Sequence, residues 1–225
     1  MPVASSAKPS SFPQIGSGRT WGDLADELAD YTGGKARPDI AAKAERSLRR
    51  AIRRLNQVPW IFNRKTDTFD LEGAASGTAE FDLESDFRSP RSGLLRDSAG
   101  KTKDTIQWIR WADWKQMFPD QSVTAAAPSF YTVDNSHERG KCIVDPPVAA
   151  TMTWPTMELN YHRWILMPGD NEDRLNVPVD FEDSVLELGL TDFIRKVDLA
   201  RAKDWNEKAE EIIALMSHHR DFEDS

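Results

Sequence analysis

The run Pro38-Asp39-Ile40-Ala41-Ala42-Lys43-Ala44-Glu45-Arg46-Ser47-Leu48-Arg49-Arg50-Ala51-Ile52-Arg53-Arg54-Leu55-Asn56-Gln57-Val58-Pro59 carries the cleanest periodic signal in the chain. At about 100° per residue, Ile40, Ala44, Leu48, Ala51, Ile52 and Leu55 fall within an arc of about 120°. Lys43, Arg46, Arg49, Arg50, Arg53 and Arg54 take the opposite arc. The pattern predicts an amphipathic helix over 39–57, opened by Pro38-Asp39 and closed by Val58-Pro59.

Similar patterns lie on either side. Thr20 reads as an N-cap with Asp23 completing an acidic capping box. Trp21, Leu24, Ala25 and Leu28 follow at helical spacing until Thr32-Gly33-Gly34, so a first helix is expected over 21–31. Near the other end, Asp180 is expected to N-cap a helix with Asp183 in its first turn. There Phe181, Val185 and Leu188 share one side, while Leu186, Leu190, Phe193, Ile194 and Val197 share another, which implies burial from two directions. A last helix over 199–218 places Ala202, Trp205, Ala209, Ile212, Ile213 and Met216 on one stripe. Its polar face holds Asp204, Glu207, Lys208, Glu210 and Glu211.

The middle of the chain changes period. Thr66-Asp67-Thr68-Phe69-Asp70-Leu71 and Thr78-Ala79-Glu80-Phe81-Asp82-Leu83 alternate and are separated by a Gly-bearing turn, which predicts a hairpin. Further strands are expected at 93–96, 104–109, 129–133, 141–144 and 156–164, with 135–140 turning a second hairpin and a short helix over 111–118. The expected fold is α+β: N- and C-terminal helices packed as a helical bundle, with a β-rich insertion of antiparallel hairpins between them. The expected organisation is a flexible arm over 1–19, a helical body of 20–60 plus 178–218, a β-rich insertion over 61–177 and an acidic tail over 219–225. The arm carries Phe12 and Ile15 as its apolar residues.

Composition bounds the function. A chain of 225 residues is one domain with room for a subdomain, and it is long enough for a core without disulfides or metals. Apolar residues make up 39% and charged residues 29%, with eight Trp and ten Phe, too rich for a disordered chain. No apolar run approaches the ~18 residues of a membrane span. The stretch Met1–Lys8 lacks an apolar h-region, so no secretory signal is expected. Cys142 stands alone, which excludes an internal disulfide and a multi-cysteine zinc site. The formal net charge of −8 hides an asymmetry. Residues 35–65 hold ten bases against two acids, and residues 170–225 hold sixteen acids against seven bases. Two such segments can neutralise each other within a protomer or between protomers.

No catalytic, cofactor-binding or metal-binding constellation is expected. Gly100-Lys101-Thr102 looks like the end of a phosphate-binding loop, but position 95, where the first glycine is required, is Leu95. The triplet reads as a hairpin turn. Gly16-Ser17-Gly18 lacks the preceding strand and third glycine of a dinucleotide site. His218 and His219 are adjacent, about 100° apart on a helix, and so do not share an ion. His137 and His162 have no nucleophile beside them. Cys142 sits among apolar residues with no activating base and reads as core. The acid pairs of 82–86 and 172–173 fall in polar loops, where nothing raises one member's pKa for acid–base work. The cluster Trp108-Ile109-Arg110-Trp111-Ala112-Asp113-Trp114 reads as core plus an interface hot spot, with base stacking as the alternative.

The order of these pieces resembles a known family. The long helix ends in Leu55-Asn56 and leads to Trp60-Ile61-Phe62-Asn63. Later come Pro128-Ser129-Phe130-Tyr131, then Ile143-Val144-Asp145-Pro146-Pro147, then Glu158-Leu159-Asn160-Tyr161-His162. Asp173-Arg174-Leu175-Asn176-Val177-Pro178 opens the paired helices, which contain Ala202 and Trp205. Over residues 20–216 this is similar to the head-to-tail adaptor (connector, or head-completion) proteins of tailed bacteriophages. The resemblance implies a virion structural protein of the neck, assembled in the host cytoplasm and without catalysis or cofactor. It implies a homo-oligomeric ring, commonly a dodecamer, below the portal protein, which extends the DNA channel, helps retain the genome and docks the tail or a stopper protein. It further implies that the C-terminal segment, His218, His219, Arg220, Asp221 and Phe222, reaches the portal. Within such a ring the basic helix, through Arg46, Arg49, Arg50 and Arg53, is expected to meet a neighbour's Glu207, Glu210 and Glu211, with Trp111 and Trp114 in the same inter-subunit contact. Packaged DNA would pass an acidic wall without sequence-specific binding. The alternative is a DNA-binding module that uses helix 39–57 and the Trp108–Trp114 cluster.

Overall fold

The capping box at the chain's first helix forms as its sequence demands. In a computed structural model describing residues 18–33, 37–118, 121, 123–135 and 140–218, the Asp23 backbone N–H donates to Thr20 Oγ1 (3.2 Å). The Thr20 N–H donates back to Asp23 Oδ2 (3.0 Å). This satisfies two donors that a helix start leaves open, and it holds the Asp23 carboxyl below the usual carboxylate range through its bonds to Thr20. Helix α1 then runs Trp21–Tyr31. Helix α2 runs Pro38–Leu55 and buries Ala44, Leu48, Ala51, Ile52 and Leu55, the expected stripe.

By its contacts the chain divides into two units: Met1–Phe62 with Ile165–Ser225, and Asn63–Trp164. The first holds α1, α2, α4 (Glu182–Val197) and α5 (Ala202–His218) around one apolar core. Trp21, Leu28, Leu48, Leu55, Trp60 and Val185 are all within that core. Ile165, Leu175 and Val177 join it, so the segment after residue 164 packs with the helices rather than with strands. Gly189 on α4 lets α2 approach closely, because a Cβ there would stand 2.7 Å from Leu48 Cδ2. The start of α4 differs from expectation. Val179–Phe181 forms a 3₁₀ turn and the helix begins at Glu182, so Asp180 is not its cap. The final helix likewise opens with a 3₁₀ turn, Leu199–Arg201, whose Arg201 N–H donates to the Asp198 carboxylate.

The second unit overturns the expected architecture. Its strands are β1 (Arg64–Asp70), β2 (Glu80–Asp82), β3 (Phe87–Arg96), β4 (Thr102–Trp108), β5 (Phe130–Asp134), β6 (Lys141–Asp145) and β7 (Thr156–Arg163), with α3 (Trp111–Met117) after β4. They form one seven-stranded sheet in the order β1-β7-β3-β4-β5-β6-β2, curled nearly into a barrel. The chain is therefore α+β, but it is not a helical bundle carrying a small insertion of antiparallel hairpins. The β part is a body with a core of its own, built from Phe69, Leu95, Ile106, Tyr131, Val144, Met157 and others. The sheet is mixed, since β4 and β5 pair parallel through Gln107↔Phe130 and Trp108↔Tyr131. The expected 66–83 hairpin does not form. β1 pairs antiparallel with β7 (Thr66↔Asn160, Phe69↔Met157), and β2 pairs with β6 (Phe81↔Cys142). Alternation marked both segments as strands, but period alone does not name a partner. β5 and β6 do pair antiparallel. The Gly100 turn also forms between β3 and β4: Gly100 sits at φ +76° and its N–H donates to Asp97 O (2.9 Å).

Cys142 lies on β6 and is wholly buried, and burial pushes its thiol well above the usual value. A thiol so placed is protonated and inaccessible. Treatment of the native protein with an aromatic disulfide reagent should leave Cys142 unmodified over the time in which a guanidinium-unfolded sample reacts fully. Rapid native labelling would contradict this burial.

Candidate interaction surface

Helix α2 presents its arginines to three different settings. Arg50 pairs with Asp192 on α4 (3.2 Å), and Arg54 pairs with Glu210 on α5. Arg49 bonds Glu45 one turn back (2.8 Å), stacks its guanidinium over the Trp21 ring (5.4 Å) and donates to Pro168 O (3.3 Å). Arg46 and Arg53 are exposed, and Arg46 Nε donates to Ala42 O (2.9 Å). The basic segment and the acidic end thus meet in part inside one chain. Of the acids expected at an inter-subunit contact, Glu210 is taken up by Arg54, Glu207 pairs with Lys203 along α5 (3.6 Å) and Glu211 is exposed.

Asp192 is the electrostatic node. Its carboxylate accepts from Arg50, from Arg195 (3.0 Å) and from Lys196, and its side chain is only 13% exposed. Arg195 also donates to Asn206 Oδ1 (2.8 Å), which ties α4 to α5. Between α2, α4 and α5 these groups line a groove of about 440 Å³ together with Trp205 and Glu210. The indole Nε1 of Trp205 is out of solvent and has no hydrogen-bond partner among the described residues. Sequence reasoning missed the groove. The spacing of Asp192 and Lys196 is legible as a helical i,i+4 pair, but Arg50 and Asp192 are 142 positions apart, and no local pattern joins them.

A second feature was also illegible in the sequence. Arg19, expected within the flexible arm, is held by three carboxylates: Glu27 on α1 (2.6 Å), and Glu182 and Asp183 at the start of α4. Its backbone N–H also donates to Glu182 (3.0 Å). Gly18 makes room for this, because a Cβ there would fall 1.6 Å from Glu182 Oε1. Thr20 bridges Arg174, and the Trp21 N–H donates to Asp173 O (2.7 Å), so the chain is anchored from residue 18 onward. Residues 1–17, with Phe12 and Ile15, lie outside the described residues.

In the sheet unit the tryptophan cluster separates into core and surface. Trp114, expected at an inter-subunit interface, is instead a core residue. It is 3% exposed, packs with Ile109 and Ile143, and meets the Phe118 ring at 4.8 Å. The reason is helical spacing, since α3 turns Trp114 onto the sheet while Trp111 stays half-buried under Lys115 (4.8 Å to the ring). Trp108 is 45% exposed. Arg88 stacks over Trp164 at 5.0 Å. His218 closes α5, whereas His219, Arg220, Asp221 and Phe222 lie outside the described residues, as does His137.

Among the described residues, no group of three or more His, Cys, Asp or Glu side chains is placed to hold a metal ion. No helix among them is long and apolar enough to cross a membrane. The chain matches no protein-family model, and comparison with curated proteins gives no match.

Proposed function

We propose that this chain is a head-to-tail adaptor of a tailed bacteriophage: a structural ring component that sits below the portal, continues the DNA channel and receives the tail. The observation that carries the proposal is the chain's plan. A helical unit is assembled from the two ends of the chain, and a separate β unit is looped out between residues 63 and 164. That plan suits a mechanical part, with one body free to hold the ring and the other free to meet a successive component. Exposed charge on α2 and α5 (Arg46, Arg53, Glu211) supplies complementary patches for a head-to-tail contact that closes by rotation. A chain of net charge −8 disfavours trapping of DNA phosphates in a channel.

The alternative of a DNA-binding module is weakened by the pairing of Arg50 and Arg54 with Asp192 and Glu210, which leaves fewer free cations on α2 for phosphates. The test is to mix the purified chain with the portal protein of the same genome and to weigh the products by native mass spectrometry, with electron microscopy of the same sample. The expected result is a ring-sized species bound to the portal. A chain that stays monomeric and does not associate with the portal overturns the proposal.

A further inference from the structure

Two aspartates stand where the sheet calls for apolar residues. Asp67 on β1 lies directly opposite Leu159 of β7, and Asp104 on β4 lies opposite Leu95 of β3. Directly paired residues of an antiparallel ladder share a face, and both leucines are buried in the sheet core. Each aspartate turns instead to its own strand's backbone. The Thr68 N–H donates to Asp67 Oδ1 (2.9 Å), and the Thr105 N–H donates to Asp104 Oδ1 (2.8 Å).

Both amides belong to open edges. β1 ends the strand order. The Leu71 N–H donates to Pro155 O (2.8 Å), which makes the odd-numbered amides the ones that face β7. Thr66, Thr68 and Asp70 therefore turn theirs outward, and all three residues are exposed. On β4 the Gln107 and Ile109 N–H groups reach Ser129 O (3.0 Å) and Tyr131 O (2.9 Å), so Thr105 is next in that row. No strand lies beside it among the described residues, because β5 meets β4 at Gln107 and Trp108. Residues 102–105 are exposed throughout. The third edge, β2, is three residues long, too short to offer much of a template.

An open amide row is a template for a further strand, and another copy of the same chain always carries a matching one. An added strand takes alternate amides, about 6.7 Å apart. The carboxylate on Thr68 interrupts the row of Thr66, Thr68 and Asp70 at its middle. The carboxylate on Thr105 stops the β5-side row from continuing along β4. A newcomer at either edge would also strip water from the carboxylate.

We propose that Asp67 and Asp104 are edge guards, each occupying the amide that follows it and so holding the β1 and β4 edges closed to strand addition by a second copy of this chain. This goes beyond the adaptor reading and does not rest on it.

The test is amide hydrogen exchange of the full chain, read by NMR after allowing for each sequence's intrinsic rate, beside sedimentation velocity. In dilute solution Asp104→Ala should speed exchange at Thr105 about fivefold and leave Ile106, whose N–H faces β3, unchanged. Asp67→Ala should do the same at Thr68. With both alanines present, raising the concentration should bring self-association beyond that of the parent. Exchange at Thr68 or Thr105 should then slow again, as a second copy's carbonyls take the place of the carboxylates. Asp67→Asn/Asp104→Asn keeps the acceptors and loses the charges, and should associate less than the alanine pair. The proposal is overturned if the alanine pair associates no more than the parent, or if neither amide responds to loss of its aspartate. It is equally overturned if the asparagine pair associates as strongly as the alanine pair. Portal association is measured separately, so either reading can fail alone.

Discussion

Gly93→Val should destabilise the sheet unit by about 3 kcal/mol or more, and lower its melting temperature by on the order of 10 °C. Gly93 lies on β3 between Ile106 of β4 and Leu159 of β7. The volume a Cβ would claim is already filled: Ile106 Cγ2 stands 2.2 Å from that point, Tyr131 Cε1 3.1 Å and Met157 Cε 3.3 Å. All three neighbours belong to the core, and Tyr131 and Met157 have no exposed surface into which to retreat. Overpacking of this kind forces side chains off their rotamers or strands apart. The cause can be separated from a general loss of strand quality, since valine is itself a good strand former. Gly93→Ala should cost markedly less in an Ile106→Ala background than in the parent, because the clashing methyl is gone. Simple additivity of the two changes, read from urea melts, would refute the steric account. Thr105→Val on the exposed side of β4 should stay within about 0.5 kcal/mol of the parent.

Gly93 also marks the limit of what this chain's sequence reveals. The helices were legible because their information is local. Thr20 and Asp23 sit three apart, and the α2 stripe repeats every turn; both features appear in the structure where the pattern puts them. The strands were legible as strands for the same reason. Their partners were not, because β1 finds β7 some ninety residues downstream and β4 takes a parallel neighbour across the α3 crossover. A hairpin between 66 and 83 was the economical guess, since short loops close at the least entropic cost. The apolar faces of Phe69, Met157 and Leu95 outweigh it by burying a common core. The groove and the contacts of Arg19 with Glu182 and Asp183 were hidden on the same principle, because each joins residues more than 140 positions apart. The tryptophan cluster shows an intermediate case: composition flagged it, but only the turn of α3 decides that Trp114 goes inward while Trp111 stays half-buried.

Arg19→Met should cost the helical unit about 2–3 kcal/mol, a large effect for one residue at the edge of the described chain. The argument rests on Glu182, whose side chain is 2% exposed while that of Arg19 is 30% exposed. Among the described residues, removing the arginine leaves a carboxylate sheltered from water with only the Arg19 backbone N–H as donor, and its other oxygen, Oε1, already lacks a partner. For fully buried pairs such a loss reaches about 3–5 kcal/mol; the partial exposure of Arg19 to solvent lowers the figure here. The Asp183 and Glu27 contacts add little, since both acids reach solvent. Because the cost comes from stranding a charge, removing that charge should relieve it. The double variant Arg19→Met/Glu182→Leu should be more stable than Arg19→Met alone, although it has lost every ionic contact between the two positions. Gly18→Ala should reproduce part of the loss with all charges intact, because its methyl displaces the Glu182 carboxylate. Urea denaturation of the parent, Arg19→Met, Glu182→Leu and the double variant closes the cycle, with Gly18→Ala measured beside them. A double variant less stable than Arg19→Met would mean that Glu182 stabilises the start of α4 independently of Arg19, and the stranded-charge account would fail.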